Sequence, residues 1–104
     1  MRIRRNDTEE YNPDESSVIE HYLREGTSFS MSRLKVDGTH RNESKAEIAY
    51  YVLEGDGHIH VGDEIIDMEE KDVVYAKEES HTLEGEMELL VVRKPPVESK
   101  DQDL

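Results

Sequence analysis

Five histidines and no cysteine set the chemistry open to this 104-residue chain. Without thiols there is no disulfide, no thiolate ligand and no cysteine nucleophile, so any metal must be held by nitrogen and oxygen. Two histidines, His40 and His81, bracket the stretch from Glu47 to His81, EIAYYVLEGDGHIHVGDEIIDMEEKDVVYAKEESH, and raise the question of a metal site enclosed by it. Two more, His58 and His60, alternate with Ile59 and Val61. If the aliphatic pair faces a core, both imidazoles point outward as a surface pair able to capture stray nickel or zinc. Tyr50 and Tyr75 offer either ring packing or a phenol hydroxyl to a cavity. His21 has no motif around it and is expected on the surface. Other chemistries lack their motifs: there is no GxSxG elbow, no phosphate-binding glycine loop and no HExxH pair.

The elements that would position these side chains are short strands. Tyr50 to Leu53 runs apolar into Gly55-Asp56-Gly57, Ile59 and Val61 precede the turn Gly62-Asp63, and Asp72 to Tyr75 forms another apolar run. Strands spaced by turn residues indicate an antiparallel β-barrel or sandwich. Upstream, strict alternation places Ser30, Ser32, Leu34 and Val36 on one face and Phe29, Met31, Arg33 and Lys35 on the other. Met87 to Val92 reads as a fully buried strand ending at Pro95-Pro96. Residues 17 to 26 stay open: Ser17 and Glu20 fit a helical capping box, yet the same apolar pairs fit a strand. The reading divides the chain into an N-terminal arm or edge strand (1–25), a barrel (26–96) and a flexible tail (97–104).

Composition narrows the class. Twenty-six acidic residues against 13 basic ones give a net charge of −13, a field that repels phosphate backbones and makes nucleic acid an unfavourable partner. Such acidity serves solubility, or adaptation to high salt. No apolar run approaches the length of a membrane span and no leader precedes a cleavage site, so the protein is expected to be cytoplasmic.

This order of elements resembles the cupin superfamily, specifically its small single-domain members, over residues 26 to 96. The phrase YYVLEGDG, the run Asp72-Val73-Val74-Tyr75 followed by His81-Thr82-Leu83, and the last strand Leu89 to Pro96 carry the resemblance. It implies an all-β fold, a cupin-type antiparallel jelly-roll β-barrel with little helix. It also implies a divalent metal (Zn, Fe, Mn or Ni) inside the barrel, held by His40, Glu47 and His81, with Asn42 standing where a second motif histidine would be. Tyr50, Tyr75, Val52 and Leu83 would line the cavity.

The spacing leaves one ambiguity. Glu47 stands eight residues before Gly55, whereas the family motif has seven, so a strict count selects Ile48. His40, Asn42 and Glu47 keep the family's mutual spacing, and a one-residue β-bulge between Glu47 and Gly55 would accommodate all three. Otherwise Glu47 is an exposed carboxylate at a strand start. The family likeness implies a barrel that binds a small molecule, with a metal-dependent isomerase or dioxygenase and a metal-free binding module as alternatives. It further implies a homodimer in which residues 1–25 extend a neighbour's sheet.

Overall fold

The computed structural model describes residues 1–77 and 79–98. Glu78 and the tail from residue 99 onward lie outside these. Among the described residues a 3₁₀ turn at Arg5–Asp7 is followed by strands alone: β1 (Glu9–Asp14), β2 (Ser17–Tyr22), β3 (Ser30–Asn42), β4 (Glu47–Val61), β5 (Glu64–Met68), β6 (Val73–Ala76) and β7 (His81–Lys94). Every pairing is antiparallel, in the order β1-β2-β3-β7-β4-β5, with β6 joining the other edge of β4. The sheet curls into a jelly-roll barrel, the fold implied by the resemblance.

Three long strands carry the architecture. β7 pairs with β3 from Ser30↔Arg93 to Asn42↔His81, and with β4 from Glu47↔Lys94 to Val61↔His81. Along β3 the inward side chains are those the alternation selects: Ser30, Ser32, Leu34 and Val36 are buried. They pack with Ile48, Tyr50, Val52, Ile59, Leu83, Leu89 and Val91 in one core. Burying this apolar surface drives closure.

The N-terminal segment forms an edge of this chain's own sheet. β2 pairs with β3 of the same chain from Ser17↔Val36 to Tyr22↔Met31, and β1 pairs with β2. Ile19 and His21 are fully buried, so the strand alternative holds for residues 17–22 and the expected surface histidine is an interior one. The C-terminal boundary also shifts. Val97, placed in the tail, is buried, and its amide N–H donates to Ser30 Oγ at 2.9 Å.

The register of β4 against β7 shifts between Val52 and Glu54, inside the interval where a bulge was expected. Before the shift Ile48, Tyr50 and Val52 face inward; after it Ile59 does. Beyond the bulge the two strands approach closely, with Gly57 opposite Gly85 and Gly55 opposite Met87. A Cβ on Gly55, whose φ is +86°, would collide with the Glu86 carbonyl oxygen and lie 3.0 Å from Met87 Cα. Both obstacles are backbone, which cannot swing aside. Gly26 also has a positive φ, +83°, but nothing lies within 4 Å of a Cβ there. Gly55→Ala should therefore cost about 2 kcal/mol or more, against about 1 kcal/mol for Gly26→Ala. Urea denaturation measures both, and equal losses would contradict this account of the strand crossing.

Candidate functional site

Inward alternation on three strands gathers a polar cluster inside an otherwise apolar barrel. β3 contributes His40 and Asn42, both fully buried. β7 contributes His81 at its first residue, directly opposite Asn42. β4 contributes Tyr50, whose sheet neighbours are Val91 and Val74. On β7, Val91 is ten residues beyond His81, roughly 33 Å along a straight strand. Yet the Tyr50 hydroxyl lies 2.6 Å from His81 Nε2. The contact therefore crosses the barrel from wall to wall, with the two rings edge-on at 5.5 Å and 78°.

The hydrogen bonds define the protonation state. His81 Nδ1 lies 3.0 Å from the Glu79 carbonyl, which can only accept, so Nδ1 carries the proton. Nε2 is then the lone-pair nitrogen of a neutral ring, and the Tyr50 hydroxyl donates to it. The Asn42 carbonyl oxygen accepts the Ser44 N–H at 2.8 Å, which leaves the Asn42 amide to donate to the Tyr50 oxygen. Both titrations move as this arrangement requires. Burial lowers the His81 pKa, opposed by the Glu79 carbonyl and reinforced by the charges of His40 and Arg41. Burial raises that of Tyr50, opposed by the bond from Asn42. At neutral pH the pair is a neutral base beside a neutral acid. Outside the wall Arg41 pins the start of β7, donating to Thr82 Oγ1 at 3.0 Å and Ser80 Oγ at 3.2 Å.

The N-terminal hairpin completes the interior. Ser17 Oγ lies 3.0 Å from His40 Nδ1, with Asp14 Oδ2 at 3.7 Å. Deeper along β2, His21 Nδ1 pairs with Ser32 Oγ at 2.7 Å. Sequence reading missed both serine partners and His21. The alternation of Ser17, Ile19 and His21 against Val18, Glu20 and Tyr22 was a signal for them, obscured because polar residues share the inner face.

The other expected residues divide. His40, Asn42 and His81 are brought inside, as are Tyr50, Val52 and Leu83. Glu47 is not: it is exposed, and Ile48 takes the inward position, as the strict count from Gly55 selects. The bulge after Val52 reverses the alternation beyond it but leaves Glu47 on the odd, outward set. Tyr75 is also outside, 71% exposed, because Val74 and Ala76 take the inward positions of β6. His58 and His60 flank buried Ile59 and point to the outer face, half-exposed, near Glu84.

The interior donors do not fit the ion that the resemblance implies. His81 has both nitrogens engaged, the Asn42 oxygen is held by a backbone N–H, and the carboxylate of the expected set is outside the barrel. An ion at His81 Nε2 would have to displace the Tyr50 hydroxyl.

The fold is that of a cupin-type jelly-roll barrel. Among solved structures it resembles Streptomyces Pac13 with uridine at 17% identity, with a TM-score of 0.82, over 96% of this chain and 86% of that one. Pac13 is described as a nucleoside dehydratase, and the uridine structures are of variants replacing a histidine or a tyrosine. Ectoine synthase from P. lautus matches at 22% identity and a TM-score of 0.81, over 94% of this chain and 80% of that one. Bacillus subtilis oxalate decarboxylase matches at 16% identity and a TM-score of 0.77, over 89% of this chain but 29% of its own. At these identities the likeness establishes the fold. No protein-family model matches the sequence, and no curated protein is significantly similar to it. No helix among the described residues is long and apolar enough to cross a membrane.

The lowered His81 pKa has a consequence for stability. The unfolded chain takes up a proton at about pH 6.5, whereas the folded ring resists protonation, so its contribution is whole above that pH and lost as pH falls through the folded value. Stability should thus decline on acidification below about pH 6.5, and His81→Asn should flatten that decline. Tyr50→Phe, which leaves buried groups on His81 and Asn42 unpaired, should cost about 1–3 kcal/mol. Urea denaturation across pH tests both.

Proposed function

We propose that this protein binds a small hydroxylated molecule inside the barrel, between Tyr50, His81, Asn42 and His40, and that binding there requires no metal. The observation that carries the reading is the 2.6 Å bond from the Tyr50 hydroxyl to His81 Nε2. A substrate hydroxyl inserted between the two would accept from Tyr50 and lie beside the basic nitrogen. The pair suits loss of water from such a molecule. His81 Nε2 takes a proton from carbon, the C–O bond breaks, and the departing hydroxyl takes the Tyr50 proton and leaves as water. The proton on His81 then returns to Tyr50 along their hydrogen bond, restoring both groups. The nucleoside dehydratase among the structural neighbours supports this reaction class, and its histidine and tyrosine variants support the residue types.

Uridine and a panel of small polyols and hydroxy acids should be tested by thermal shift in the presence of a chelator. A ligand at a hundredfold its Kd stabilises by about 2.7 kcal/mol. At least one should stabilise the wild type but not Tyr50→Phe or His81→Gln. Stabilisation that requires added metal and disappears in Glu47→Gln would restore the metal-centred reading instead.

A homodimer remains part of the proposal, by a different route from an extended sheet. The outer face of the central strands carries two rows without a carboxylate, Met31-Val92-Ala49-Tyr75 and Arg33-Leu90-Tyr51-Val73, set by the register of β3, β7, β4 and β6. Tyr75 is 71% and Val73 51% exposed. On a chain of net charge −13, a second copy docking through this face keeps the acidic surfaces apart. Light scattering at micromolar concentration should give a dimer, and Tyr51→Glu with Tyr75→Glu should give a monomer of unchanged circular dichroism. A wild-type monomer would dismiss this assembly.

A further inference from the structure

The outer face of the barrel holds a second group of imidazoles, distinct from the interior cluster. His58 and His60 are two residues apart on β4, so both leave the same face, and Glu84 of β7 is the register partner of His58. Glu84 Oε2 lies 3.3 Å from His58 Nε2, and its other oxygen, Oε1, lies 3.5 Å from His60 Nε2. The donor atoms of all three residues lie within 4.8 Å of one another. Imidazole nitrogen and carboxylate oxygen bind zinc at about 2.0–2.2 Å, and a tetrahedral angle then separates neighbouring ligands by about 3.3–3.6 Å. The Glu84 carboxylate stands about that far from each imidazole, through a different oxygen for each, and both separations exceed the usual length of an N–H···O bond, about 2.9–3.0 Å.

A second observation points the same way. His60 Nε2 is shielded from solvent and has no hydrogen-bond partner among the described residues, although the Glu84 carboxylate stands beside it. A shielded nitrogen left in this state is costly unless its lone pair has a use. On the His58 side of the triad the neighbouring side chains are anionic, whereas Thr82 and Ile65 flank His60. Asp67 of β5 is the register partner of His58 on the opposite side, and Asp56 and Glu86 face each other two positions along the same face.

We propose that His58, His60 and Glu84 form a three-ligand site for a divalent ion of borderline softness, zinc or cobalt, on the outer wall of the barrel. The side chains are 36%, 37% and 42% exposed, so water or an oxygen ligand from solution completes the coordination. Ligation would also tie β4 to β7 beside their close crossing, and so should stabilise the fold.

Isothermal titration of the full, tag-free chain with zinc chloride and with cobalt chloride tests this. The wild type should bind one ion per chain, and bound cobalt should show the intense visible absorption of a tetrahedral site. His60→Ala and Glu84→Gln should each weaken binding by roughly tenfold or more and abolish the metal-dependent rise in Tm. The interior substitution His81→Gln should leave affinity unchanged, so failure here is separable from failure of the interior binding site. No saturable binding, or affinity unaltered in Glu84→Gln, would overturn the proposal, the latter outcome reducing the site to a two-histidine surface trap. Glu84→Ala provides the same test should the glutamine variant misfold.

Discussion

The hydrogen bond between Tyr50 and His81 joins the two walls of the barrel, and much of the interior is arranged around it. It can form only because β7 curls through a large angle between His81 and Val91, bringing the start of one long strand under the start of another. Along that curl, strand backbones cross closely at Gly55, Gly57 and Gly85 and take the room side chains would need. The bond in turn explains its surroundings. The Glu79 carbonyl fixes the proton on the far side of the ring, and Asn42 steadies the phenol from behind. A buried polar network is stable only when each member is satisfied, and this one uses backbone groups to close both ends.

A period of two along β4, broken once after Val52, decides which chemistry is inside and which is outside. Tyr50 is in and Glu47 is out; Ile59 is in and the two flanking histidines are out. Shifting the break to lie before Glu47 would turn the carboxylate inward and Tyr50 outward, exchanging the Tyr50–His81 pair for a different set of inward side chains. One bulge position thus separates two kinds of barrel interior built from nearly the same residues.

The fold was legible because its strongest signals are local. The alternation from Ser30 to Val36 and the turn glycines between strands each specify their own geometry without reference to distant residues. The phrase around Gly55 led to residues that are buried in the barrel, His40, Asn42, Tyr50 and His81. What failed was parity where both faces of a strand are apolar. Tyr75 and Val74 are equally plausible inward residues until the pairing of Tyr75 with Ala49 on the outer face is known. Glu47 failed for a related reason: a bulge was anticipated in the correct interval, but its position within that interval sets the outcome. Glu84 carried no sequence signal at all, since only the β4–β7 register brings it to His58.

On this account the interior is organised by a neutral His81 that accepts a hydrogen bond from Tyr50, rather than by a bound ion. Long-range proton–nitrogen correlation spectra of the uniformly nitrogen-15-labelled protein near neutral pH measure this directly. The account predicts the Nδ1–H tautomer for His81, with an unprotonated Nε2 whose shift is unchanged by adding or chelating divalent metal. A proton on Nε2, or an Nε2 resonance that moves on metal addition, would contradict it.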